Sequence, residues 1–123
     1  MTTQWVQDYF KTIDSGDVDK LLAYYAPQAS FRFANQTAWV GHDAMRTGIQ
    51  KFYDSIASMH HEQQGVWIAP DGNSAVFEAY AHFVLPDGRK FSLPAVSVLR
   101  VENDVLQDFR FVMDAAPLMA PAK

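Results

Sequence analysis

Apolar residues recur at helical spacing near the start of the chain and predict two short helices. The apolar face of the first helix carries Trp5, Val6, Tyr9, Phe10 and Ile13. Thr3 is a suitable N-cap for this helix, and Gly16 is a suitable C-terminal stop. Asp17 can cap the second helix, and Pro27 is predicted to end it because the proline ring cannot continue the hydrogen-bond ladder.

A third helix is predicted after a short strand and a loop. Residues 30–33 alternate and favour a strand, and residues 34–41 form the loop. His42 or Asp43 can cap the helix that follows. Its apolar stripe carries Met45, Ile49, Phe52 and Ile56. Gly48 within this helix costs about 1 kcal/mol relative to alanine, so we expect the helix to need tertiary support.

The second half of the chain alternates apolar and polar residues with a period of two, which predicts strands. The predicted strands span residues 61–68, 75–84, 91–101 and 105–113. Short turns, including Pro-Asp-Gly sequences, join these strands closely, so an antiparallel meander is expected. Pro94 lacks an N–H donor in the middle of a predicted strand, which suggests a bulge or a sheet edge.

Helices first and long strands afterwards predict one α+β domain over residues 1–123. Antiparallel strands of this length twist and curl. We therefore expect a cone-shaped, curved sheet of four antiparallel strands, packed on three N-terminal helices. A curled sheet with helices across its mouth encloses an apolar pocket that suits a small molecule.

The strand at residues 75–84 has two different faces, and the sequence leaves open which one meets the pocket. One face carries Phe77, Ala79, Ala81 and Phe83. Hydrophobicity alone buries this face. The other face carries Val76, Glu78, Tyr80, His82 and Val84. In the pocket, Glu78 and His82 would form an acid–base pair, whereas on the outside they would be surface residues or part of a dimer contact.

Charge and composition exclude several classes of protein. Hydrophobic residues make up 49% of the chain, which is enough for a core. The net charge is −4 and no basic stripe occurs, which argues against binding to nucleic acid or to an anionic membrane. No apolar stretch could span a bilayer, and the N-terminus does not resemble a signal peptide, so we expect a cytoplasmic protein.

Neither a metal nor a cofactor is expected from the sequence. The absence of cysteine excludes a disulfide scaffold, a zinc ribbon and a thiol nucleophile. The histidines do not occur at the spacing of a metal-binding helix. The glycine-rich dinucleotide fingerprint, the phosphate-binding loop and the serine nucleophile elbow are also absent.

The order of the predicted elements resembles the nuclear transport factor 2-like superfamily. The matching stretches are residues 9–17, 22–27, 40–45, 85–89, 92–94 and 108–118. The last stretch resembles SnoaL-like proteins whose final strand ends in Asp-x-x-Pro-Leu, here Asp114 to Leu118. The superfamily also includes ketosteroid isomerases, limonene epoxide hydrolases and scytalone dehydratases. The resemblance implies a similar cone-shaped fold and a homodimer. It also places the Glu78, Tyr80 and His82 face of the strand at residues 75–84 toward the pocket.

This chain lacks the main catalytic groups of two of these enzyme classes. Tyr9 matches the oxyanion-binding tyrosine of ketosteroid isomerases. Phe33 stands where their general-base aspartate would lie, and Ser97 where their second carboxyl would lie. The arginine and two aspartates of limonene epoxide hydrolases have no counterpart either. Chemistry by these two routes is therefore not expected.

Scytalone dehydratases offer a better match. They pair an aspartate after the first helix with a histidine at the start of the meander. Asp14 matches the aspartate, and either His60 or His61 matches the histidine. The structural interpretation stays open, in which Asp14 caps the helix junction and His61 is an ordinary strand residue.

The predicted site combines these candidates with a lining of mostly aromatic residues. The catalytic candidates are His61, His82, Glu78, Asp14 and Tyr9. The substrate-binding candidates are Tyr80, Phe33, Trp39, Phe52, Ser97, Phe109, Phe111 and Met113. Tyr9 could donate a hydrogen bond to a carbonyl oxygen, although a tyrosine on an apolar helix face is more often part of the core.

Two functions fit this site. The first is a SnoaL-like isomerase or lyase, of cyclase or dehydratase type, that acts without a cofactor on a small apolar carbonyl or polyphenolic compound. The second is a non-catalytic domain that binds small apolar molecules or serves as a dimeric accessory. For the homodimer, the face with Ala79 and Ala81 is a suitable contact if it turns outward.

Overall fold

Helices precede most of the strands in residues 1–121, the part of the chain that the computed structural model describes. The helices are α1 (Thr3–Ser15), α2 (Val18–Leu22), α3 (His42–Asp54) and α4 (Ala116–Met119). The strands are β1 (Tyr25–Phe33), β2 (Trp39–Val40), β3 (Ser58–Ile68), β4 (Ser74–Val84), β5 (Lys90–Glu102) and β6 (Val105–Val112). The predicted α+β class is confirmed. Within residues 1–121, no helix is long and apolar enough to cross a membrane.

All the strands form one curved sheet of six strands, in the order β2-β1-β6-β5-β4-β3. Strands β3 to β6 are the predicted antiparallel meander. The prediction of four strands, all antiparallel, is wrong, because β1 pairs with β6 in parallel and β2 pairs with β1. Phe31 and Phe33 of β1 are buried, so this strand extends the apolar wall under the helices.

Helix α2 is shorter than predicted. Asp17 caps it as expected, and its carboxylate accepts a backbone N–H at 3.1 Å. The helix ends at Leu22, and Tyr25 and Pro27 belong to β1, so the prediction that Pro27 ends the helix is wrong. Pairing between β1 and β6 is irregular from Tyr25 to Ser30, and a strand accepts proline where the regular ladder is interrupted.

The starts of α1 and α3 also differ from the predicted ones. The hydroxyl of Thr2, not of Thr3, accepts a first-turn N–H at 3.1 Å. Neither His42 nor Asp43 caps α3, which begins without a side-chain cap. The ring of His42 instead forms a hydrogen bond of 3.0 Å with the Tyr25 carbonyl. This bond ties the start of α3 to β1.

Gly48 shows where α3 obtains its tertiary support. The Trp39 indole lies directly against this glycine, and a Cβ atom there would overlap the ring. Trp39 also stacks on Phe31, with the ring centroids 5.4 Å apart. The missing side chain lets the helix approach β2, and the indole packing offsets the low helix propensity of glycine.

Pro94 lies at a local edge of the sheet, as predicted. Its register partner on β4 is Tyr80, and the pairing of β4 with β5 passes through this position without a shift. On the other side of β5, pairing with β6 begins only at Val96. Pro94 therefore has a neighbouring strand on one side only, where a missing N–H is tolerated.

The inner face of β4 packs under the helices. It carries Phe77, Ala79, Ala81 and Phe83, which are at most 3% exposed. Phe77 stacks on Phe10 of α1 with a centroid distance of 3.8 Å. The predicted dimer contact at Ala79 and Ala81 is therefore wrong, because these alanines lie inside the molecule.

The outer face of β4 carries Glu78, Tyr80 and His82. Glu78 and Tyr80 are exposed, and His82 is partly exposed. The expectation that these three side chains turn to the pocket, which came from the resemblance, is wrong. The hydrophobic pattern of the strand indicated the correct face, because burial of the Phe77 side removes more apolar surface from water.

Candidate active site

A small apolar cavity lies between the inner face of the sheet and helices α1 and α3. Its volume is about 30 Å³, which leaves room for about one water molecule. Five predicted substrate-binding residues line it, namely Phe33, Trp39, Phe52, Phe109 and Phe111. The other lining residues are Ile13, Leu21, Phe31, Ile49, Tyr53, Met59 and His61. The wall is aromatic and apolar, as predicted, and its polar side-chain atoms belong to His61, Tyr53 and Trp39.

Asp14 and His61 form a carboxylate–imidazole pair at the margin of this cavity. Asp14 Oδ1 lies 2.6 Å from His61 Nδ1, and Asp14 Oδ2 accepts the backbone N–H of His61 at 2.8 Å. The His61 side chain is 2% exposed and the Asp14 side chain 16%. The two side chains meet as the resemblance implied, while their catalytic role stays a prediction.

Strand geometry decides which histidine faces the cavity. Successive side chains alternate across a sheet, so His61 turns inward and His60 outward. His60 is 72% exposed, and its Nδ1 lies 3.7 Å from Asp14 Oδ2. β3 is an edge strand, so no further strand lies beside it to accept the His61 backbone N–H. Asp14, in the last turn of α1, supplies the acceptor that a further strand would otherwise provide.

The bond to Asp14 determines which nitrogen of His61 carries the proton. An ionised carboxylate only accepts hydrogen bonds, so Nδ1 donates and Nε2 keeps its lone pair. Nε2 is buried and has no hydrogen-bond partner within residues 1–121. The ring packs against Phe10 and Phe111, with centroid distances of 5.0 and 5.7 Å. A buried acceptor in such apolar surroundings is suited to take a proton from a bound molecule.

The tyrosines near the site are committed to other protein groups. Tyr9 does not line the cavity, because it is fully buried and its hydroxyl is bonded to the Tyr25 hydroxyl. The prediction that Tyr9 donates a hydrogen bond to a substrate oxygen is therefore wrong. Burial, and then the neighbouring Tyr25, raises the pKa of Tyr9 well above its ordinary value. Tyr53 does line the cavity, but its hydroxyl donates to the Ile13 carbonyl at 2.7 Å, and burial raises its pKa. Both phenols therefore stay protonated.

Ser97 and Met113 were predicted to bind substrate, and both lie in the core outside the cavity. Ser97 is 1% exposed and Met113 is 8% exposed. Neither is among the residues that line the cavity. Ser97 stands in register between Phe77 and Phe111, where a small residue fits between two large rings.

His82 has a carboxylate partner of its own on the outer face. Its Nε2 lies 2.8 Å from Glu62 Oε1, and its Nδ1 lies 2.7 Å from Ser92 Oγ. The side chains of His82 and Glu62 are 37% and 56% exposed. The sequence prediction missed Glu62, although its period-two spacing from His60 places both on one face of β3. Glu78, the predicted partner of His82, does not bond to it.

The sequence matches the SnoaL-like domain family over residues 6–108, and the chain belongs to this family. The matched range contains Asp14 and His61, and Phe109 and Phe111 follow directly after it. The sequence has no match among curated proteins.

Solved structures with the same fold match nearly the whole length of this chain. An NTF2-like protein of unknown function from Burkholderia pseudomallei K96243 is 22% identical, with a TM-score of 0.84 and coverage of 97% of this chain and 96% of that one. SalBIII, an epoxide hydrolase/cyclase-like enzyme in pyran ring formation of salinomycin, is 18% identical, with a TM-score of 0.79 and coverage of 92% and 90%. TerC, co-crystallised with polyporic acid, is 10% identical, with a TM-score of 0.80 and coverage of 94% and 93%. At these identities the likeness establishes the NTF2-like fold alone.

Proposed function

We propose that this protein is a SnoaL-like isomerase or lyase that acts by acid–base chemistry, without a cofactor, on a small apolar carbonyl or polyphenolic compound. The observation that carries the proposal is the buried, unpartnered Nε2 of His61 at an apolar cavity. Asp14 holds the opposite nitrogen of the ring. A defined tautomer, a free lone pair and shelter from water are what a general base requires.

In the proposed reaction, His61 first accepts a proton and then donates it. Nε2 removes a proton from a carbon next to a carbonyl group, and the substrate keeps the electron pair as an enolate. The Asp14 carboxylate stabilises the imidazolium that forms. The imidazolium then returns the proton either to another carbon, which isomerises the substrate, or to a hydroxyl group that leaves as water.

The surroundings of the cavity narrow the substrate class. An enolate needs its negative charge stabilised, usually by hydrogen-bond donors of the protein. The hydroxyl groups of Tyr9 and Tyr53 are already engaged with Tyr25 and Ile13. Of the donors in the cavity wall this leaves the indole N–H of Trp39, so we propose that the charge is spread mainly over the conjugated system of the substrate itself. This favours a polyphenolic or conjugated dicarbonyl compound over a simple ketone.

Deuterium uptake from the solvent tests this proposal without knowledge of the natural substrate. The protein is incubated in D₂O with a panel of conjugated carbonyl and polyphenolic compounds, and deuterium incorporation is followed by mass spectrometry. We expect the wild type to accelerate exchange and His61→Gln to lose about 10²–10⁴-fold of that acceleration. His60→Gln is the matched control, because its exposed ring lies outside the cavity. Equal exchange by the wild type and His61→Gln across the panel would contradict the proposal.

A non-catalytic binder of small apolar molecules is the second candidate function. The engaged hydroxyl of Tyr53 favours it, because this phenol in the cavity wall already donates to the Ile13 carbonyl at 2.7 Å and is not free to stabilise a negative charge on a substrate. TerC, which shares the fold, has been crystallised with a small molecule. A compound that binds with micromolar affinity and shows no His61-dependent exchange or conversion would support this candidate.

We also propose a homodimer that forms through the outer face of the sheet. Trp67 and Val112 are each 58% exposed on this face, and Tyr80 is 44% exposed. Glu78 lies on the outer side of β4, and Arg110 lies on the outer side of β6. A twofold axis along β5, which separates these strands, would place β4 of one copy over β6 of the other. The acidic and basic side chains would then face each other.

Light scattering with a face variant tests the dimer. Val112→Asp adds a charge to the exposed apolar surface of this face, so it is expected to yield monomers. Val105→Asp is a comparable exposed valine near the start of β6 and serves as control. A monomeric wild type at micromolar concentration would contradict the dimer.

The cytoplasmic location and the extent of the domain over residues 1–123 stay predictions from the sequence.

A further inference from the structure

A groove larger than the cavity runs along one side of α3. Its volume is about 770 Å³, which is the size of an ordinary ligand site. Phe33, Trp39 and Phe52 line both the groove and the cavity, so these side chains form the wall between the two spaces. A molecule in the groove is therefore separated from the His61 cavity by a layer of side chains.

Trp39 is the wall residue that lies in the shortest element, β2, a strand of two residues. Its indole lies between the ring of Phe31, on which it stacks, and Gly48 of α3, which has no side chain to hold it in place. Phe33 and Phe52 are in longer elements, β1 and α3. A rotation of the Trp39 ring away from Gly48 would join groove and cavity without a change in the backbone of either long element.

The side of α3 that faces the groove is polar. Asp43, Thr47, Lys51 and Ser55 line the groove at intervals of one helical turn. Asp43 and Lys51 are eight residues apart, about 12 Å along the axis, which is too far for an ion pair. Lys51 forms no ion pair within residues 1–121. The groove thus presents an available cation beside Phe52, where the aromatic wall begins.

We propose that this groove is the mouth of the site, and that Lys51 selects a planar aromatic ligand that carries an anionic group. The ring system passes Trp39 toward Nε2 of His61, and a carboxylate or phenolate at the outer end of the ligand pairs with the Lys51 ammonium. The inference rests on the proposed function in one respect, the position of the ligand's ring system next to His61. Its own elements, the groove, the tryptophan and the lysine, can be tested separately.

A cleft between α1 and β3 offers a rival path to the same cavity. It measures about 570 Å³ and is lined by Lys11, Asp14, His60 and His61, among others. An anionic ligand entering there would meet the Asp14 carboxylate and the Nδ1 side of the His61 ring, which is already bonded. The groove also contains a carboxylate, that of Asp43, but it lies two helical turns from Lys51, about 12 Å along the axis of α3, so an anion bound at Lys51 is well separated from it. Lys11 of the cleft also supplies a matched control for Lys51.

Paired ligands of equal shape test the proposal. Binding of 2-naphthoate and of its neutral isostere 2-naphthamide is measured by calorimetry on the wild type, Lys51→Met and Lys11→Met. We expect the wild type to prefer 2-naphthoate, and Lys51→Met to lose about fivefold to tenfold of that preference, as one charge-assisted contact allows. Lys11→Met should keep it. In NMR spectra the indole N–H signal of Trp39 should shift on binding, with Trp5 and Trp67 as internal controls.

Several outcomes would overturn the inference. One is loss of the anion preference in Lys11→Met instead of Lys51→Met, which would place the mouth at the rival cleft. The others are equal affinity for the two compounds, no binding of either at millimolar concentration, or an unchanged Trp39 signal at saturation.

His61→Gln separates this inference from the proposed reaction. The variant should bind 2-naphthoate with the same Lys51-dependent preference, although it no longer promotes deuterium exchange. Lys51-dependent binding without any His61-dependent exchange would support the groove and contradict the enzyme. His61-dependent exchange without an effect of Lys51 on binding would support the enzyme and overturn the inference.

Discussion

Two carboxylate–histidine pairs lie on opposite faces of one sheet. The inner pair joins His61 to Asp14 at 2.6 Å, and the outer pair joins His82 to Glu62 at 2.8 Å. The His61 side chain is 2% exposed, whereas that of His82 is 37% exposed. The bond lengths are nearly equal, so the bonds themselves do not distinguish the two pairs.

The difference lies in the second nitrogen of each ring. His82 uses both nitrogens, because Ser92 occupies Nδ1 while Glu62 occupies Nε2. His61 uses one, and its Nε2 is left without a protein partner in an apolar wall. A carboxylate beside an imidazole therefore does not by itself indicate a reactive site. A reactive site is indicated by burial together with an unused ring nitrogen, because that nitrogen can bond only to a bound molecule or a trapped water.

Removal of each carboxylate should produce the largest contrast between the pairs. Asp14→Ala leaves the backbone N–H and ring N–H of His61 buried without an acceptor, so we expect a loss of about 2–4 kcal/mol in the free energy of unfolding. Glu62→Ala removes an exposed partner and should cost less than about 1 kcal/mol. Urea unfolding followed by circular dichroism measures both values. Equal losses would show that burial does not separate the pairs.

The proton positions of the two rings give a more direct comparison. Because Asp14 only accepts, His61 should carry its proton on Nδ1, with an Nε2 signal typical of an unprotonated nitrogen. Its Nδ1–H should also be visible in water, since burial and the short hydrogen bond slow exchange. The ring N–H of exposed His82 should exchange too fast to be seen. Nitrogen-15 NMR near neutral pH measures both rings, and a protonated Nε2 on a neutral His61 would contradict the assignment.

Asp108 is a third paired carboxylate of the sheet, and unlike Asp14 and Glu62 it is bonded to arginines. Burial raises the pKa of Asp108, but the hydrogen bond from Ser30 and the guanidinium groups of Arg110 and Arg100 outweigh it, so the net pKa is lowered. A lowered native pKa stabilises the fold above the unfolded value, about 3.9, and this stabilisation is lost as the pH falls further.

The smallest expected effect follows from this shift. Asp108→Asn should reduce the free energy of unfolding by about 1 kcal/mol at pH 7, and the difference from the wild type should shrink below about pH 4. Thermal unfolding of both proteins at several pH values measures it. Glu102→Gln, at an exposed position that forms no ion pair within residues 1–121, is a control for the loss of one negative charge. A difference that does not depend on pH would mean that Asp108 acts through packing alone.

The sequence predicted the inner pair, Asp14 with His61, except for the choice between His60 and His61. The resemblance pointed to Asp14 with one of two adjacent histidines, and the choice of His61 followed only from the side of β3 that faces α1. The outer pair was predicted with the wrong carboxylate, because Glu78 lies on the strand of His82 while Glu62 is across the ladder. Cross-strand neighbours depend on register, which single strands do not reveal.

The early part of the chain was the hardest to predict. Tyr25 continues the helical spacing of α2, and Pro27 is an ordinary helix terminator, yet both lie in β1. The parallel pairing of β1 with β6 joins residues more than seventy positions apart, such as Ser30 and Asp108. No local pattern carries this information.

The sequence by itself determined the features that depend on neighbours along the chain. These are the apolar faces of α1 and α3, the four strands of the meander, its turns and the aromatic character of the cavity wall. Periodicity reports them because each helix or strand must bury one face to be stable. Tertiary structure alone decided that Tyr9 bonds to Tyr25, that Glu78 faces outward and that Nε2 of His61 lacks a partner. These outcomes depend on which distant groups fill the space around each side chain, and only the packed chain determines that.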